Sequence, residues 1–247
     1  MSEQNSGTSL SKGKLGVAGI VFFVVAAAAP LLGMTGAVPV AMFLGNGAGA
    51  SGTYLAVGLI LALFAVGYSA MSQKVTNTGA FFAYVGRGLG RNAGVASAFA
   101  SIVGYVTIQL AICGFFGGVM SLTFAGTMPW WGWGIFAWAA ATALSLFSVD
   151  IGAKVLGALM ILEVAVLVIT AVAILATNTG SIDFVAAFSP DAILAGGITG
   201  SAGIAIAFAF ASFIGFEATA IYGEESKDPK RSVPKATYWA IGLITAL

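Results

Sequence analysis

Histidine is absent from this 247-residue chain, cysteine occurs once, at Cys113, and charged residues make up only 8%. Each scarcity excludes something. Without His and with a single thiol, zinc sites of the usual composition and disulfide frameworks are out of reach. The common general bases are missing too, and no HExxH or GxSxG pattern is present, so neither an enzyme nor a bound metal or cofactor is expected. A soluble domain carries about 25% charged residues to coat its surface, which removes that class. The formal charge of +1 offers no basic face to nucleic acid. Glycine is plentiful, at 34 residues, but without the three-residue period of collagen. What remains is apolar: 59% of the residues, with a mean hydropathy of +1.01. The composition is that of an integral membrane protein, with the lipid bilayer as its first partner.

The spacing of charge sets the number of spans. Leu15 to Gln73 and Asn92 to Val149 hold no Asp, Glu, Lys or Arg. A bilayer core takes about 20 apolar residues per helix, so each run accommodates two helices. Gly45–Gly49 divides the first run, and the stretch from Gly126 to Trp131 divides the second. Further apolar segments run over 155–176 and 202–222, and another starts near Ala236. This gives an all-α membrane protein of six spans plus the first turns of a seventh. A membrane barrel would alternate apolar and polar residues, and only a helix satisfies its own backbone in lipid. The expected organisation is a tail over 1–14, spans one to five over 15–176, a loop over 177–201, and span six, a loop and the start of span seven over 202–247.

All 10 Lys and Arg fall on one side of that arrangement, before span one and in the two–three, four–five and six–seven connections. The other loops carry only Asp183 and Asp191. Basic loops stay cytoplasmic, so the expected placement is a multi-pass protein of the cell membrane with a cytoplasmic N-terminus. Trp130, Trp131 and Trp133 sit where an aromatic belt belongs. Lys12, Lys14 and the apolar run to Ala29 have the look of a secretory signal, but Pro30 and the apolar residues continuing to Leu44 argue against cleavage.

Two helices carry interruptions. Span one reads Pro30-Leu31-Leu32-Gly33-Met34-Thr35-Gly36, with Pro39 beyond. Proline removes a backbone donor and glycine weakens helix. A break here would free N–H groups that attract a carboxylate; equally, Gly33 and Gly36 could serve close helix packing. Span six has a weaker interruption at Ser212-Phe213-Ile214-Gly215-Phe216-Glu217. An acid within a span costs roughly 2.5–3.5 kcal/mol on insertion scales, so Glu217 is expected to face protein or water, either near a ligand or as a cap on broken backbone. Two interrupted helices in corresponding positions point to a transporter's site. Glu163, in span five, is read either as a group that takes up and releases a proton or as a link to a neighbouring helix. Gln109, in span three, could meet a polar ligand or join helices. Phe208, Phe210, Phe213 and Phe216 suit packing more than a ligand cage. Gly86-Arg87-Gly88-Leu89-Gly90 follows no strand, so it is no dinucleotide loop.

These residues resemble the amino acid–polyamine–organocation permease superfamily. The most specific stretch is Ser212–Glu217, followed by Glu224-Glu225-Ser226-Lys227-Asp228-Pro229-Lys230-Arg231-Ser232-Val233-Pro234-Lys235-Ala236. It is similar to the family's helix six and its E-x-x-x-P-x-R-x-x-P-x-A loop. Asn77-Thr78-Gly79-Ala80-Phe81-Phe82-Ala83-Tyr84 through Gly90 is similar to the G-x-x-Y-x-Y segment after helix two.

The resemblance implies a LeuT-like fold: a first five-helix repeat, then helix six and the start of helix seven, with the rest of the second repeat truncated. It also implies a secondary transporter of amino acids or related amines. By position, Gly33, Met34, Thr35 and Gly36 match the family's unwound segment that holds the substrate carboxylate. Ala211, Ser212, Phe213, Ile214 and Gly215 match the unwound part of helix six that receives the amine. Gln109 falls on a site-lining position, and Glu217 matches an acid thought to relay gating. The family's G-S-G is here Gly-Met-Thr-Gly. Several relatives carry a lysine at the position of Glu163, in place of a sodium ion; the reversed sign suggests a protonatable coupling group, so a proton is expected as the coupling ion ahead of sodium. An exchanger of amines or amino acids is the alternative within the fold. A channel, or a fragment that inserts without transporting, is the alternative outside it. The residues leave the oligomeric state open.

Overall fold

A computed structural model of the chain describes residues 15–75, 79–146 and 149–247. The tail over 1–14, with Lys12 and Lys14, and Asn77 and Thr78 of the second motif stretch lie outside the described residues. Among the described residues the chain is helical throughout, with one isolated bridge between Leu15 and Ser226. Three helical stretches are long and apolar enough to cross a bilayer: Val17–Ser72, Arg91–Thr123 and Val155–Ser181. The first, at 56 residues, far exceeds the roughly 20 that one span needs, and it is divided by two breaks. The chain is an all-α membrane protein.

Contacts group the chain into two compact units. The smaller holds residues 79–155, with helices α4 (Ala80–Leu89), α5 (Arg91–Thr123), α6 (Trp130–Leu146) and the first turn of α7 (Val149–Asn178). Glycine sets its packing. A Cβ on Gly117 would lie 2.2 Å from the carbonyl oxygen of Trp130, and one on Gly94 would lie 2.7 Å from Cα of Gly86. Backbones approach this closely only across small residues, the usual device between helices in lipid. Gly86, in the rejected nucleotide-like stretch, thus serves the α4–α5 contact. Helix α4 itself was read as connecting chain.

The larger unit holds the other described residues. Its helices are α1 (Val17–Ala28), α2 (residues 30–46), α3 (Ala50–Ser72), the remainder of α7, α8 (Phe184–Ala187), α9 (Pro190–Ile193), α10 (Ser201–Ser212), α11 (Ala218–Ile221) and α12 (Pro229–Ala246). Small residues again line the contacts. Ala202, Ala205 and Ala209 recur at helical spacing on α10 and are fully buried. A Cβ on Gly45 would stand 3.0 Å from Cβ of Ala205. Ile20, Val24, Val57 and Phe213 fill the core, and the buried hydroxyls of Thr219 and Thr237 lie 2.9 Å apart. Leu15 donates to the Glu225 carbonyl and Lys227 donates back to Leu15, each at 3.1 Å, tying the start of span one to the loop after span six.

Helix directions follow from paired contacts. Phe22 lies against Gly157, and Leu31 meets Glu163 further along both chains, so α1–α2 and α7 run parallel. Gly33 lies near Ser212 and Gly45 near Ala205, so α2 and α10 run antiparallel.

Candidate functional site

Span one breaks at a single residue. Ala29 adopts a left-handed conformation (φ 45°, ψ 68°) and closes α1 with its N–H aimed at the carbonyls of Val25 and Ala26. Pro30 then opens α2 at its first position. An L-residue in this region costs roughly 1–2 kcal/mol. Proline explains why it falls here: the residue before it is disfavoured in the right-handed helix, while proline suits a helix start, where its missing N–H would have no partner anyway.

This corrects the expectation of an unwound segment over Gly33–Gly36. Those residues are wound, as a π-helical turn over Gly33–Ala37. The Gly33 N–H reaches the carbonyl of Ala29 at 3.1 Å, and the Thr35 hydroxyl donates back to Leu31 at 2.7 Å. Proline started a helix instead of dissolving one, and glycine in lipid kept helical hydrogen bonds that have no water to replace them.

The donors freed by the break belong to Leu31 and Leu32, and both meet the carboxylate of Glu163. The Leu31 N–H donates to Oε1 at 2.5 Å. An anion at the start of a helix in low dielectric is a favourable pairing. Gly157, six residues earlier, lets α7 press on Phe22; a Cβ there would stand 2.8 Å from the ring.

Span six breaks where the sequence placed it. Helix α10 ends at Ser212, turns carry the chain over 213–217, and α11 resumes at Ala218. Gly215 takes φ 116°, and a Cβ there would stand 3.0 Å from the nitrogen of Ala28 and 3.1 Å from the carbonyl carbon of Ala27. The two breaks therefore touch, backbone against backbone. Glu217, only 5% exposed, accepts from the Gly215 N–H at 2.8 Å and so caps its own turn, while the Tyr68 hydroxyl donates to the Glu217 carbonyl at 2.6 Å.

Beside the breaks, a cavity of about 360 Å³ opens within the larger unit, at the low end of the roughly 300–1,000 Å³ of small-molecule sites. Pro30, Gly33 and Met34 form one wall, Ser51, Tyr54 and Leu55 of α3 a second, and Ser212 a third; Phe188 and residues 244–247 complete it. The Ser212 hydroxyl donates to the Phe208 carbonyl at 3.0 Å and lies 2.9 Å from the Tyr54 hydroxyl, which must then supply its own proton to that contact. Among the described residues, no Asp, Glu, Lys or Arg lines the cavity.

Of the sequence candidates, Gly33, Met34 and Ser212 share this cavity. Thr35 and Gly36 lie on α2 outside the wall, Ala211 is exposed, Phe213 is buried in the core, and Ile214 and Gly215 lie in the span-six turn. Gln109 is an exposed residue of the smaller unit, its amide 3.7 Å from Cys113 Sγ. Sequence reasoning missed Ala29, Tyr54 and Phe188. Only Ala29 left a signal, as the residue before Pro30. On the loop after span six, burial pushes the Glu225 carboxyl above its usual range, with the neighbouring Glu224 adding to it. Among the described residues, its Oε2 is buried without a partner.

A chain of apolar helices, two of them broken where they cross and flanked by a cavity of small-molecule size, defines a polytopic membrane protein. Residues 19–247 match the amino acid permease family, and the chain belongs to that family, one of transporters rather than enzymes. No individual curated protein and no solved structure matches it.

Proposed function

We propose that this chain holds the substrate site of a secondary transporter that carries amino acids or related amines across the cell membrane, with a proton as the coupling ion, in a LeuT-like arrangement with a cytoplasmic N-terminus. The observation that carries the reading is the meeting of Glu163 with the Leu31 and Leu32 N–H groups at the break of span one. The ligand's carboxylate would need donors of that kind, and the protein's own acid now holds them. Protonation of Glu163 weakens its grip on them, because a charge-assisted hydrogen bond becomes a neutral one of about half the strength. Substrate then takes the donors while the acid keeps its proton, which couples the two. Gly33, Met34 and Ser212 contact the substrate body, with Thr35, Gly36, Ala211, Phe213, Ile214 and Gly215 near them in the chain, and Glu217 fixes the span-six turn that moves during gating.

Glu163→Gln in the complete protein, reconstituted in liposomes, tests this. Accumulation driven by a pH gradient should be abolished while exchange of internal for external amino acid persists. Undiminished driven accumulation overturns the coupling role. Amino acid flux without saturation or counterflow would favour a channel over a carrier.

A further inference from the structure

The loop over 182–200, between α7 and α10, brings a residue to the cavity that neither broken helix supplies. Phe188 follows α8 directly and lines the same cavity as Gly33 and Ser212. The loop is seated firmly on both sides of it. A Cβ on Gly49 would lie 2.2 Å from the Ala192 carbonyl oxygen, and one on Gly52 would lie 2.6 Å from Cγ1 of Ile193 and 2.8 Å from the Ala187 carbonyl oxygen. Any side chain at either glycine would lift the loop. Its own turns are capped, Asp183 Oδ1 accepting from Ala186 and Ser189 Oγ from Ala192. The Asn46 amide adds a latch, donating to the Ile193 carbonyl at 2.8 Å and to Thr53 Oγ1 at 2.7 Å. Among the described residues, Asn46 Oδ1 is buried with no partner. At the loop's far end Gly196 and Gly197 both take positive φ, 75° and 77°, where the chain turns sharply into α10.

We propose that Phe188 is a specificity-determining residue: its ring closes one end of the cavity and limits the size of the ligand side chain, and Asn46, as a positioning residue, holds the loop so that it does. The proposal rests on the reading of the cavity as an amino acid site. A wall of neutral residues, whose polar side chains are the hydroxyls of Ser51, Tyr54, Ser212 and Thr245, suits a neutral side chain, and the aromatic ring discriminates by bulk.

The test is competition against uptake of radiolabelled alanine by the complete protein, with glycine and tryptophan as competitors. Wild type should favour glycine over tryptophan. Phe188→Ala should improve the inhibition constant of tryptophan relative to glycine by about tenfold, the lower end of what a size mismatch in an apolar pocket gives, and Phe188→Leu should fall between. Asn46→Ala should shift the same ratio in the same direction, which a role in stability alone would not do. If Phe188→Ala fails to accumulate in the membrane, Phe188→Leu carries the comparison. An unchanged ratio in every variant, with alanine uptake intact in wild type, overturns the role of Phe188 and leaves the transport reading standing. Wild-type protein that takes up no amino acid overturns both.

Discussion

Replacing Gly215 by alanine tests whether the two helix breaks rest on one another. At φ 116° an L-residue is strained, at a cost of about 1–3 kcal/mol for a sparsely populated backbone region. The added methyl would also stand 3.0 Å from the Ala28 nitrogen. That neighbour is backbone and cannot swing aside, so overpacking adds about 1–3 kcal/mol. Together these give about 2–6 kcal/mol, a large share of the roughly 5–15 kcal/mol by which folded proteins are stable. At about 2–4 °C per kcal/mol for a chain of this size, Tm should fall by about 4–24 °C. The assay is thermal unfolding of the purified protein in detergent, followed by loss of the monodisperse peak in size-exclusion chromatography. Gly67→Ala is the control: Gly67 lies within α3 with nothing within 4 Å of a Cβ, and alanine in a helix gains about 0.5–1 kcal/mol over glycine. A Gly215→Ala protein that melts with the wild type would refute the contact between the breaks.

Two further outcomes follow from the buried acids. Glu217→Ala leaves the Gly215 N–H without its acceptor and should cost about 1–3 kcal/mol, the penalty for an unsatisfied buried donor; Glu217→Gln, which keeps an oxygen in reach, should cost less in the same melting assay. The Glu225 carboxyl is held above its usual range by burial and by Glu224, so the folded state favours its protonated form. Its stabilising contribution is full below the unfolded pKa and is lost as pH rises through the folded one. Melting curves from pH 4 to 8 should therefore show Glu225→Gln gaining on wild type as pH rises, and parallel curves would count against the burial of Glu225 Oε2.

The break in span six was legible because its signals are local: Gly215 followed two residues later by Glu217, with the acid capping the turn from within the same segment. The break in span one was legible only in part. Pro30 marked its neighbourhood, but Ala29 carries the left-handed turn and Gly33–Ala37 stay wound. Glycine next to proline reads as a helix breaker in water, where freed backbone groups are solvated; in lipid those groups have no alternative partner, and the winding persists. Phe188 was illegible altogether, since nothing in a loop sequence says which cavity it will line.

Composition and the long runs without charge alone determined that this is a helical membrane protein. These properties follow from the transfer of groups between water and hydrocarbon, which each segment feels independently of its neighbours. The partners were decided by the tertiary structure. Glu163 reaches Leu31 and Leu32 because Gly157 lets α7 close on α1, and Gly215 meets Ala27 and Ala28 because neither carries bulk at the crossing. A hydrogen bond or a backbone contact across more than a hundred residues depends on which surfaces come to lie within a few ångströms, and only the packed chain sets that distance.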